Sequence, residues 1–238
     1  MAKMVGLSRN LKLPWLNEVA RLYAEGLDDN QIKEQLNDYL SYEISSPTNI
    51  RKTREILMNI WVYENDFTSS LREQALYLIK KDSDYALPVH WCMMLAVYPV
   101  FQDMCRLIGK ISEFEDTFTI KQIKQKLFDE WGERATLYHS IDKLIATLKA
   151  MDVLENKKVG VYSVKKHALA RAEIINYLIY SIMRIDNAGY YSLADLQNSL
   201  YLFPFAYEVS REAILEDERF DAATFGGEFS LALRSQLQ

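Results

Sequence analysis

The stretch ERATLYHSIDKLIATLKAMDVLENKKVGVYSV, Glu133 to Val164, is the one on which the fold of this 238-residue chain turns. Leu137, Ile141, Leu144, Ile145, Leu148 and Met151 recur at the three- and four-residue spacing of a single helix face, which predicts a helix with one buried stripe. Its opposite face carries Thr136, His139, Ser140, Lys143 and Thr147: short hydrogen-bonding side chains and one cation. DVLEN and VGVYSV then read as two strands, with Lys157 and Lys158 as the turn between them and Val153, Val159 or Val161, and Val164 available to a small sheet.

Immediately upstream, FTIKQIKQKLFDEWG (Phe118 to Gly132) offers Thr119 as the cap of a helix whose inward residues are Ile120, Ile123, Leu127 and Phe128. A turn at Trp131 and Gly132 leads from it into the quoted helix. Helix, turn, longer helix and a two-stranded wing, in that order, are the parts of a winged helix. Farther upstream the pattern is helical throughout. LPWLNEVARLYAEG stops at Gly26, DDNQIKEQLNDYL is capped by Asp28 or Asp29, and SSPTNIRKTREILMNIWVY starts from Ser46 and Pro47. The first two of these resemble a helix-turn-helix pair, an arrangement common to many helical bundles. ALPVHWCMMLAVYPVFQDMCRLIGKI, apolar on most sides, is the candidate central helix. It carries both cysteines, Cys92 and Cys105, too far apart along one continuous helix to bridge.

A second copy follows. YSLADLQNSL (Tyr191 to Leu200) aligns with FTIKQIKQKL (Phe118 to Leu127): aromatic, hydroxyl cap, apolar, two spacers, apolar, three spacers, leucine. After it, PFAYEVSREAILEDERF reads as a second helix and FDAATFGGEFSLAL as a hairpin around Gly226 and Gly227. With only eight glycines and five prolines and long periodic runs between them, the expectation is a mainly α protein. It comprises an N-terminal helical bundle (1–117), a basic winged-helix unit (118–166) and an acidic second winged-helix-like unit (167–238), the last two with small β-hairpins.

The charge pattern separates the two copies. Net charge is −5, yet residues 118–166 hold 10 Lys/Arg against 6 Asp/Glu, while residues 167–238 hold 5 against 10. Salt screens charges beyond about 10 Å, so a local basic patch binds phosphate even on an acidic chain. In the second copy Glu208, Glu212, Glu216, Asp217 and Glu218 occupy the element where a DNA reader would carry cations, so that unit is expected to contact protein or simply to pack.

Catalysis has no visible home. His90, His139 and His167 lie far apart with no cysteine or carboxylate at ligand spacing, and no phosphate-loop, dinucleotide, zincin or nucleophile-elbow motif occurs. The expectation is therefore a non-enzyme with no cofactor and no metal. Tyr85 to Phe101 is free of Asp, Glu, Lys and Arg, but it is shorter than the ~20 residues a membrane span needs and contains Pro88, His90 and Pro99. It reads as a core helix, and two thiols without an apolar leader imply a cytoplasmic protein.

If the basic unit meets DNA, the second helix lies in the major groove while its start and the wing touch the backbone. The candidate contacts are Arg134 and Thr136 at the helix start, His139, Ser140 and Lys143 along it, Lys157 and Lys158 on the wing, and Lys121 and Lys124 from the preceding helix. With no Asn or Gln on the exposed face, weak sequence preference is expected. The bland reading makes Lys157 and Lys158 ordinary turn residues and the unit a protein-docking module. Both readings stand on the residues alone. A small basic cluster at Arg51, Lys52 and Arg54 is read as a solvated helix face.

In order and pattern, LYAEGLDDNQIKEQL, SPTNIRKTREIL, LPVHWCMMLAVYPVFQDM and GERATLYHSIDKLIATLKAMDVLE resemble the BrxA family of bacteriophage-exclusion (BREX) defence systems, over residues 13–165. The resemblance implies a small cytoplasmic protein that binds double-stranded DNA as an accessory of other defence-system proteins. The acidic segment from Ala168 onward has no match to it.

Overall fold

The N-terminal half is helical because each apolar stripe starts at a competent cap. The computed structural model describes residues 5–65, 67–186, 188–225 and 228–234, and of Phe225 and Glu228 the backbone only. Helix α1 (Leu13–Ala24) has Pro14 in its first turn. Helix α2 (Asp29–Ser41) is closed by a capping box between Asp28 and Gln31, and α3 (Pro47–Trp61) by the Ser46 hydroxyl. Helix α4 (Thr68–Lys81) and a 3-10 turn at Ser83–Tyr85 lead to α5 (Ala86–Val97) and α6 (Pro99–Ser112).

The predicted single central helix is thus two. Tyr98, forced toward extended backbone by the proline after it, has φ −118° and ψ 99° and breaks the run. Cys92 and Cys105 fall on different helices, both buried as free thiols. Helix α5 is buried on nearly all sides and forms the centre of the bundle. Among the described residues no helix is long and apolar enough to cross a membrane.

His90 in α5 is wholly buried and satisfied. Trp61 Nε1 donates to its Nδ1 at 3.0 Å, which fixes the proton on Nε2, and Nε2 faces Asn17 Oδ1 at 2.8 Å. Burial pushes its pKa down to about 3, so the ring is neutral.

The middle segment runs β1 (Phe118–Thr119), α7 (Ile120–Trp131), α8 (Ala135–Ala150), β2 (Leu154–Lys158) and β3 (Val161–Val164). Thr119 and Gln122 form a capping box at the start of α7, and Gly132, at φ 77°, ends it in a conformation that favours glycine. The strands make one antiparallel sheet in the order β1-β3-β2. Lys157 and Lys158 are strand residues of β2, not its turn. A bulge near Lys158 moves the reversal to Val159 and Gly160, where Gly160 takes φ 71°.

The C-terminal segment repeats this topology. Helix α9 (Ala172–Asp186) precedes β5 (Tyr191–Ser192), α10 (Leu193–Gln197), a 3-10 turn at Leu200–Leu202, α11 (Arg211–Leu215), and strands β7 (Phe220–Phe225) and β8 (Glu228–Leu233). Its sheet order, β5-β8-β7, is that of the first sheet, and Ser192 with Asp195 makes a capping box at the positions aligned with Thr119 and Gln122. The turn expected at Gly226 and Gly227 lies outside the described residues.

The long second helix expected in this copy is absent. Phe203 and Phe205 pack edge-on against Trp91 of α5 at 5.5 and 5.8 Å between ring centroids. That packing draws β6 (Phe205–Ala206) into a parallel pair with β4 (His167–Ala168), leaving only five helical residues after the Ser210 cap. Trp91 Nε1 donates to the Tyr201 carbonyl at 2.9 Å, and Gly109 of α6 lies so near Leu200 that a Cβ there would be 3.0 Å from its Cα. Buried residues from Val5 to Leu231 form one connected core.

Candidate nucleic-acid interface

Helix α8 buries its predicted stripe in full: Leu137, Ile141, Leu144, Ile145, Leu148 and Met151 are all in the core. Its polar face is divided. Thr136 and His139 are exposed and Lys143 is half-buried, but Ser140 and Thr147 are 1% and 0% exposed. The cause is an N-terminal arm, residues 5–12, anchored by the buried Leu7 and Leu11. The Leu11 N–H donates to Thr147 Oγ1 at 2.9 Å, and that hydroxyl donates onward to the Lys143 carbonyl at 2.9 Å. Ser140 is almost wholly buried although it lines the groove formed by the start of α8, and Thr147, farther along the helix, is covered by the arm.

The N-terminal half of α8 forms one wall of an open groove of about 940 Å³, contributed by Arg134, Thr136, His139 and Lys143. The facing wall is Arg9 of the arm and Lys52 of α3. No Asp or Glu occurs among the described residues that line it. Arg134 is the N-cap residue of α8 and donates to the Trp131 carbonyl at 3.3 Å. No side chain caps that helix end, so its partial positive charge adds to the wall.

Two of the predicted lysines behave differently. Lys124 is only 12% exposed. Its ammonium lies 2.6 Å from Asp142 Oδ1 and 3.4 Å from the centroid of the Tyr138 ring, so it staples α7 to α8 and is withdrawn from any ligand. Lys157 is exposed but pairs with Glu155 at 2.5 Å, a solvent-screened contact that a phosphate can displace.

Lys121, Lys157 and Lys158 form a second group. The Ile120 N–H donates to the Gly160 carbonyl at 3.1 Å, which ties the start of α7 to the turn between β2 and β3. These three lysines do not line the groove and make a group of their own. Of the nine candidates, Arg134, Thr136, His139, Ser140 and Lys143 line the groove, Lys121, Lys157 and Lys158 lie apart from it, and Lys124 is engaged by Asp142 and Tyr138.

Sequence reading passed over Arg9 and set Lys52 aside. Of the Arg51, Lys52, Arg54 cluster, Arg54 is spent on Glu55 at 2.6 Å and Asn37 at 3.0 Å, while Lys52 opens on the groove. In the acidic copy Glu208, Glu212, Glu216 and Glu218 are exposed as expected. Asp217 is internal: Arg219 and Asn176 bind it, and although burial alone would raise its pKa, Arg219 holds the carboxyl below the usual range. Among the described residues no three of His, Cys, Asp or Glu converge as metal donors. Against family models, curated proteins and solved structures, the chain has no match.

Proposed function

We propose that residues 118–166, with α6 as lead-in helix, are a winged helix that binds double-stranded DNA through its backbone with little base readout. The protein is a non-enzymatic accessory. One observation supports this above the others: in a chain of net charge −5, the start of α8 faces a groove with four Lys/Arg and one histidine, and with no acid among its described lining residues. Lys121, Lys157 and Lys158 lie outside that groove and offer a second set of backbone contacts. For the biological setting, the likeness of residues 13–165 to the BrxA family supports a role beside other phage-defence proteins in the cytoplasm.

The test is a fluorescence-anisotropy titration of a short labelled duplex at low salt, comparing the wild type with the Lys157→Glu, Lys158→Glu double variant. The wild type binds, and the variant binds at least about tenfold more weakly, since two attractive phosphate contacts become repulsive. Equal binding by both removes the wing from the interface.

A second reading draws on the covering of α8 by the arm and on the loss of Lys124 and Ser140 from the surface. In it the two topologically repeated units are a scaffold for protein partners. A wild type that fails to bind duplex at low salt favours that reading.

A further inference from the structure

We propose that the groove between the arm and α8 holds one strand of phosphodiester backbone, so that Arg9 and Lys52 of the N-terminal half are DNA-binding residues. The inference rests on the nucleic-acid reading above and deepens it, because it says what part of the ligand the site takes and which residues, outside residues 118–166, complete it.

The argument begins with position. Arg9 is held on an arm whose neighbours Leu7 and Leu11 are fully buried, so its guanidinium is not free to wander. Its two terminal nitrogens donate to the Ser8 carbonyl at 2.6 Å and to Asn49 Oδ1 at 3.0 Å, both neutral acceptors. Asn49 and Lys52 are three apart on α3 and share a face, which sets Lys52 beside Arg9. Lys143 stands on the opposite wall. No carboxylate pairs with Arg9, Lys52 or Lys143 among the described residues. Glu43, which lines the adjoining recess, is taken by Lys12 and by Trp15 Nε1 at 2.9 Å.

Three cations from three distant chain segments, converging without a counter-charge, repel one another in the free protein and are relieved by an anion. Arginine's planar fork suits phosphate oxygens in particular. The groove, about 940 Å³, adjoins a second recess of about 400 Å³ that shares Arg9 and Lys143, which is far more room than a single phosphate fills. Shape supplies the last step. A helix 10–12 Å across enters a groove about 12 Å wide only when both its flanks are clear. Thr147 is buried under the arm, so α8 cannot sink along its length. The strand instead runs along the groove, with Thr136 and His139 left to face its edges.

The experiment uses the full chain and a labelled duplex over a series of salt concentrations, with Lys52→Gln and the Arg9→Gln, Lys52→Gln pair. Lys52 is exposed and has no side-chain partner among the described residues, so its variant keeps the wild-type unfolding midpoint and reads binding alone. The log–log salt slope becomes shallower by about 0.9 for the single variant and about 1.8 for the pair. If the wild type binds and Lys52→Gln keeps its affinity and slope, the inference is overturned while the wing-based reading stands. Displacement of the duplex by inorganic pyrophosphate at matched phosphate concentration makes this a free-anion site and overturns it too. A wild type that does not bind duplex overturns both.

Discussion

His90 illustrates how a single residue couples composition to stability. Read in sequence it is a histidine in an apolar run, and the fold gives it two neutral partners, Trp61 and Asn17, and no acid. Its folded pKa, about 3, lies below the ordinary value of 6.5, so the unfolded chain takes a proton that the native state refuses. The contribution is intact above pH 6.5 and is lost as pH falls toward 3. Between pH 7 and pH 5 the wild type should lose about 2 kcal/mol of unfolding free energy from this residue alone. Carboxylates held low by their partners, such as Glu55 and Asp217, titrate below that window. Urea titrations at the two pH values check this, and His90→Asn should flatten the difference; an unchanged difference in the variant places the effect elsewhere. Lys124 carries the complementary lesson. Its charge was legible, but its engagement by Asp142 and Tyr138 depends on how α7 crosses α8, which spacing within one helix does not encode.

At the scale of elements, local chemistry was the most readable part. The Asp28, Ser46, Thr119 and Ser192 caps, the stop at Gly132 and the buried stripe of α8 follow from side chains within a few residues of one another. Tertiary competition was not readable. Trp91 claims Phe203 and Phe205 and so prevents a long helix there, and the arm claims the back of α8. The arm makes a definite prediction. Thr147→Val keeps the shape of the side chain but leaves the buried Leu11 N–H without its acceptor, at a cost of about 1–3 kcal/mol. Chemical denaturation measures it, together with faster amide exchange at Leu11. A variant as stable as the wild type, with Leu11 still protected, means that the arm docks through its leucines alone.

Over the whole molecule, one topology is used twice with opposite charge. Sheets β1-β3-β2 and β5-β8-β7 and their two capping boxes repeat, yet the first copy presents lysines and the second Glu208, Glu212, Glu216 and Glu218. The repeat was visible because Phe118–Leu127 and Tyr191–Leu200 align residue by residue. The contacts through which the units share a core were not, because Trp91, Tyr201 and the close approach of Gly109 to Leu200 join segments about a hundred residues apart. The candidate site was half legible: its α8 wall was foreseen, and its facing wall of Arg9 and Lys52 required the fold. The most direct test is the salt dependence of wild-type binding to a mixed-sequence duplex. With Lys121, Arg134, Lys143, Lys157 and Lys158 on phosphates, the log–log slope should be about −4 to −5, steepening to about −6 with Arg9 and Lys52 also engaged, and should change little with sequence. No binding at low salt, or a slope near zero, contradicts the account.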